Sequence, residues 1–202
     1  MQSLTNRNDL SRASRTRARA MEATLELAAE SGISACTFEA VSERSGIARS
    51  TLYRHWKNSS ELVADAIKSQ SIERVAADTG TLRDDMLHWM LELGRALEGS
   101  TWGAMVPQLV AAASTDPNME AIQRRNSGYH RSIDIEIVER AKKRGEVDEG
   151  IDSYHAAVMF TAPIFYRYLV ARQPIDARWI TSHVDQTVAL LRPAGGSLGE
   201  GA

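Results

Sequence analysis

A chain of 202 residues, 43% hydrophobic and 25% charged, has ordinary globular composition and enough apolar material for one large core or two modest ones. No charged n-region with an apolar h-region opens it. The longest uncharged run, which includes Ser100 to Thr115, is broken by Gly103 and Pro107, well short of the roughly 18 apolar residues of a membrane helix, so a cytoplasmic protein is expected. The single cysteine, Cys36, excludes an internal disulfide and reads as a small buried hydrophobe rather than a redox sensor.

The net charge of −2 conceals an uneven distribution: residues 1–57 carry nine Arg or Lys against six Asp or Glu, and residues 58–202 carry fifteen against twenty. Arg7, Arg12, Arg15, Arg17 and Arg19 precede the first acidic helix residue, Glu22, with only Asp9 opposing them. Residues 1–14 are read as a basic flexible arm, able to neutralise phosphates or to serve as a solvated tail.

Strand signals are nearly absent and helical spacing is everywhere, so the expected fold class is all-α with about nine helices. Met21, Leu25 and Ala28 mark a first helix from about Ser14 to Ser31, ended by Gly32. Thr37 can cap a second, Phe38 to Ser45, which stops at Gly46; a third runs from about Ala48 to Trp56. Ser59 or Ser60 can cap a fourth, through Leu62 and Ala66. Met86, Met90, Leu93 and Leu97 give a fifth, ending near Gly99, and Trp102 to Ala113 a sixth, bent or broken at Pro107. Pro117 starts a long seventh helix with Ile122, Tyr129, Ile133, Ile137 and Ala141 on one face. Its closing cations Lys142, Lys143 and Arg144 suit the helix dipole better than a second DNA contact. Asp152 can cap an eighth, to about Arg172, kinked at Pro163. The ninth, Ala177 to Leu191, carries Ile180, Val184 and Val188 on one stripe. The apolar spread of the last two helices points to a homodimer interface containing Ile164, Tyr168, Ile180, Val184 and Val188. Residues 193–202 read as a disordered tail.

The second and third helices meet the mechanical needs of a helix-turn-helix: Val41 and Ile47 pack them together, Gly46 makes the turn and Leu52 points inward. The outward residues Arg49, Ser50, Thr51, Tyr53, Arg54 and His55 are donor-rich and include no acid, as a phosphate-lined groove requires. The run Val41-Ser42-Glu43-Arg44-Ser45-Gly46-Ile47, followed by Ser50-Thr51-Leu52-Tyr53-Arg54-His55-Trp56-Lys57 and Glu61-Leu62, resembles the TetR family of transcriptional regulators over about Arg17 to Ile67. The resemblance implies a helix-turn-helix DNA-binding domain at 15–60, a larger helical effector-binding and dimerisation domain at 61–192, and a repressor released from a palindromic operator by a small molecule. It further implies that Thr37, Thr51, Tyr53, His55 and Lys57 touch phosphates or sugars while Arg49, Ser50 and Arg54 face base edges, Arg49 being suited to a guanine. Core support by Tyr53, and plain surface for His55 and Lys57, stay open. One departure is Ala48, where the family usually has a serine or threonine cap.

By the same resemblance Met86, Trp89, Met90, Trp102, Met105, Tyr129 and Phe160 are candidates to line a hydrophobic effector pocket, with His88, His130 or Arg131 as polar handles. Aromatic and methionine residues at helical spacing equally well fill plain core. An enzyme is not expected, because the five histidines are scattered and no metal spacing, phosphate loop or nucleophile elbow is present; neither metal nor cofactor is called for. The rival is a helical protein-interaction module retaining the helix-turn-helix shape, against which the acid-free third helix argues.

Overall fold

A computed structural model describes the backbone of residues 2–70 and 76–193 and the side chains of residues 13–69 and 76–193. The side chains of Arg7 and Arg12 and the tail beyond residue 193 lie outside these. The described residues form α1 (Gln2–Ser31), a 3₁₀ turn (Ile33–Ala35), α2 (Phe38–Ser45), α3 (Arg49–His55), α4 (Ser59–Gln70), α5 (Leu82–Gly99), α6 (Thr101–Ala113), α7 (Pro117–Lys143), α8 (Ser153–Phe165), a π-helical turn (Tyr166–Ala171) and α9 (Ala177–Leu191). Among the described residues this is the all-α order expected, without a strand.

Short polar side chains fix most helix starts. Thr37 Oγ1 accepts from Ala40 N at 3.2 Å and so caps α2, and Gly46, at φ 68°, takes the left-handed conformation that ends it. The fourth helix differs from expectation: Asn58, not Ser59 or Ser60, is its cap, accepting from Glu61 N at 2.8 Å while Glu61 Oε2 accepts from Lys57 N at 2.8 Å. Asn58 competes better because its side-chain carbonyl reaches the third helical N–H with Glu61 bonding back, a reciprocal cap. Ser100, Asp152 and Asp176 cap α6, α8 and α9, their side chains accepting from Gly103 N, His155 N and Trp179 N. Helix α6 continues through Pro107 rather than breaking. At Pro163 the missing N–H is followed by a widening of α8 into the π turn, which closes on Arg172 at φ 53°.

The chain divides into two compact units. One comprises Met1–Ile72 and Ser100–Arg125, the other Glu73–Gly99 and Asn126–Ala202. In the first, α1 is the spine, packing against α2, α4, α6 and the 3₁₀ turn. Its core joins Ala20, Leu27, Val41, Leu52, Trp56, Leu62 and Ala66 with Met105 and Leu109 of α6. In the second, α5 packs on α8 and α9. A Cβ at Gly94 would lie 3.0 Å from Ile175 Cγ2 and 3.1 Å from Ile180 Cδ1, so the bare backbone there lets α5 sit tightly on the chain entering α9. The start of this unit is held by Asp85, which accepts from Thr79 N at 2.6 Å, Thr79 Oγ1 at 2.7 Å and Arg144 Nη2 at 3.3 Å. Arg144 also meets Asp78 and Glu146, and Lys142 donates to carbonyls at 149 and 151, so these two terminal cations of α7 serve the fold.

Leu52 has no solvent exposure and is the main anchor of the short α3. Leu52→Ala is expected to cost about 2–5 kcal/mol, read as a lower urea midpoint of the first unit's transition; a midpoint unchanged from the parent would show that α3 is not held by this side chain.

Candidate nucleic-acid interface

Helix α3 turns one residue of its seven into the core and the others outward. Around the buried Leu52, Arg49, Ser50, Tyr53 and Arg54 are exposed and Thr51 and His55 half-exposed; Thr37 and Lys57, which flank α2 and α3, are exposed as well. Tyr53 is 59% exposed and packs its ring against Phe38 in a T-shaped contact with centroids 4.7 Å apart. Trp56 is 3% exposed and donates from Nε1 to Asp65 Oδ2 at 2.8 Å. Arg17 of α1 pairs with the same carboxylate and lies 5.6 Å above the indole, so one acid on α4 ties the end of α3 to α1. These neighbours hold Asp65 below the usual carboxylate range against the opposing effect of its partial burial.

The turn is fixed as firmly. Ser45 Oγ donates to Val41 O at 2.6 Å and accepts from Ile47 N at 3.2 Å, while Arg19 reaches from α1 to Ser45 O at 2.6 Å. Arg44 is committed to Glu30 and Glu26 of α1, with Nη2 2.6 Å from Glu30 Oε2, and its hydrogen bond lowers the Glu30 carboxyl. Arg49, at the start of α3, pairs with Glu39 on α2. Sequence reading singled out neither Asp65 nor Glu39; the available signal for Glu39 was an acid in a helix's first turn, where the dipole favours it.

Of the seven effector-pocket candidates, Met86, Trp89, Met90 and Phe160 are buried in the second unit, Trp102 and Met105 are buried in the first, and Tyr129 is 38% exposed. His88 is exposed, and His130 and Arg131 are half-exposed. Beside Trp89 lies a group the sequence did not reveal: Asp134 of α7 is 3% exposed and accepts from Trp89 Nε1. Burial pushes its carboxyl up to about 7, although hydrogen bonds from Trp89 and Thr161 and the charge of Arg131 pull it down. Ile164, Ile180, Val184 and Val188, expected at a dimer interface, are already buried by their own protomer, and Tyr168 is half-buried. The exposed large apolar side chains of this region are Tyr154, Met159, Tyr166, Val170 and Leu190. Among the described residues no cluster of ligating side chains could hold a metal ion, and no helix is long and apolar enough to cross a membrane.

Family comparisons agree with this geometry. Residues 20–66 match the description "Bacterial regulatory proteins, tetR family", and residues 76–187 match "Tetracyclin repressor-like, C-terminal domain". The HTH-type transcriptional regulator AqdR of Rhodococcus erythropolis is 30% identical over 143 residues, covering 70% of this chain and 69% of AqdR. Bacillus subtilis FadR in complex with stearoyl-CoA superposes with a TM-score of 0.71 at 20% identity, covering 85% of this chain and 97% of FadR. The SmeT–triclosan complex superposes at 0.68 and 23% identity, covering 93% and 99%. The chain belongs to the TetR family of bacterial transcriptional regulators, and α2, the Gly46 turn and α3 form its DNA-binding helix-turn-helix.

Asp134 gives the second unit a testable pH dependence. Its folded carboxyl titrates above the ordinary value of about 4, so between about pH 4 and 7 the folded state keeps a proton that the unfolded state releases. Stability therefore falls as pH rises through that window, by on the order of 4 kcal/mol at the limit. Asp134→Asn is expected to melt close to the parent near pH 4 and increasingly above it as pH rises to 8. A parent-minus-variant difference in Tm that stays constant with pH would contradict this.

Proposed function

We propose that this chain is a homodimeric, cytoplasmic repressor that occupies a palindromic operator through α3 and leaves it when a small, moderately hydrophobic effector binds the larger helical region. The carrying observation is the outward face of α3, where Arg49, Ser50, Tyr53 and Arg54 surround a buried Leu52 with no acid of the helix's own. In this reading Arg49, Ser50 and Arg54 address base edges, and Thr37, Thr51, Tyr53, His55 and Lys57 the backbone. The protein works by binding and needs no cofactor.

The effector half of the reading is supported by two structural neighbours, one holding stearoyl-CoA and the other, SmeT, holding triclosan; SmeT is described as the repressor of the multidrug efflux pump SmeDEF in Stenotrophomonas maltophilia. Met86, Trp89, Met90 and Phe160 would meet such a ligand in the second unit, which can act only by binding more tightly to the DNA-free state. The dimer reading is supported by Met159, Tyr166, Val170 and Leu190, large apolar side chains each left exposed on α8, the π turn or α9. An isologous contact through these helices would present two reading helices to a two-fold operator.

Two pairs of variants test the reading. Arg49→Ala is expected to weaken a selected operator roughly ten- to a hundredfold with little change on scrambled DNA, whereas Lys57→Ala weakens both alike and lowers the salt slope by about one for each phosphate left without its cation. Equal behaviour of both variants on both duplexes would misplace the reading helix. Tyr166→Asp combined with Val170→Asp is expected to give monomers by sedimentation and to abolish operator binding, with the helical content of the parent; a persisting dimer would place the interface elsewhere.

A further inference from the structure

Glu39 is an acid on a surface that meets phosphates. It is the second residue of α2, just behind the Thr37 cap, and its side chain is 62% exposed. Its carboxylate meets Nη1 of Arg49, which opens α3 ten residues later. The pairing answers a local electrostatic need. Helix α3 starts on Ala48 without a side-chain cap and has no acid in its first turn, which leaves Arg49 as a cation against the positive end of a helix dipole. Glu39 supplies the missing negative charge from the neighbouring helix. Its own backbone N–H and the Arg49 guanidinium hold its carboxyl below the usual range, so it stays ionised at neutral pH.

This pairing has consequences for reading DNA. A guanidinium carries five donors in one plane, and engaging one amino group leaves the remaining edge able to make two parallel bonds to guanine O6 and N7. A side chain held on a carboxylate has also given up rotamer freedom before it meets the base, so less is sacrificed on binding. The negative charge acts in the other direction on the backbone: it repels phosphates of any duplex, whatever the sequence. Orientation rewards one base pair, and repulsion disfavours all DNA alike. Together they widen the difference between cognate and other sites more than they raise affinity.

We propose that Glu39 is a positioning residue for Arg49, one that aims its guanidinium at a base edge and sharpens discrimination by opposing backbone-only binding. This rests on the reading of Arg49 as a base contact.

The experiment uses the full chain to select an operator from a randomised duplex library. The parent, Glu39→Gln, Glu39→Asp, Arg49→Ala and the Glu39→Gln/Arg49→Ala double variant are then measured on that operator, on its single-base variants and on a scrambled duplex. The parent is expected to prefer one base at one position per half-site, and Arg49→Ala to lose that preference. Glu39→Gln is expected to lose about fivefold or more of the same preference and to bind scrambled DNA more tightly. The double variant adds no further loss of preference. Glu39→Asp keeps the charge but falls short of Arg49, so it is expected to lose the preference while binding scrambled DNA as the parent does. Unchanged thermal melts of the Glu39 variants establish that the fold is intact. Full base preference in both Glu39 variants, with its loss in Arg49→Ala, overturns this inference and leaves the base contact standing. Full preference in Arg49→Ala overturns the base contact and the inference with it.

Discussion

A helix of seven residues has almost no stability of its own in water, since the cost of fixing its first turn is returned by only a few backbone bonds. Helix α3 is of that length, and it has no side-chain cap at its start. Its geometry is therefore imposed from outside, by Leu52 and Trp56 sunk into the core and by Asp65, which gathers the Trp56 indole and the Arg17 guanidinium. The Gly46 turn, locked by Ser45 and Arg19, sets the direction in which α3 leaves α2. Most of the holding is done on one side, which leaves Arg49, Ser50, Tyr53 and Arg54 exposed on the other, with Arg49 paired to Glu39 and Tyr53 resting on Phe38 of α2.

Two buried acids show how differently the second unit treats charge. Asp85 lies among Thr79, Arg140 and Arg144, a set rich enough in donors and cations to replace its water. Asp134 has the Trp89 indole and Thr161 beside it, with Arg131 acting at longer range, and burial raises its carboxyl to about 7. The first arrangement anchors the segment that begins the unit against α5 and α7. The second leaves a titratable acid in the core beside Trp89, held there by a hydrogen bond rather than by a facing cation.

Much of this was legible in the sequence, for reasons that differ from residue to residue. Thr37 and Gly46 act within a few residues of themselves, so the bounds of α2 followed from local chemistry. The stripe Ile180, Val184 and Val188 marked α9 as amphipathic; yet periodicity tells that a stripe is covered and not by what, and here the protomer's own core covers it. Asn58 outcompeted two adjacent serines for a cap because Glu61 bonds back, a choice settled by side-chain reach. The π turn after Pro163 depends on how a missing backbone bond is accommodated, and a sequence shows only that it is missing. Asp134 with Trp89, 45 residues apart, and Arg17 with Asp65, 48 apart, are products of packing. Glu39 and Arg49, ten apart across a turn, needed the angle between two helices.

The proposed function turns on entry of α3 into the major groove, where it would read base edges. Methylation interference on a duplex selected from random sequence tests it most directly, because methyl groups at guanine N7 and adenine N3 block different grooves. Interference is expected at guanine N7 in two symmetric patches about one helical turn apart or a multiple of it. Interference confined to adenine N3, or a single patch without its symmetric mate, would contradict it.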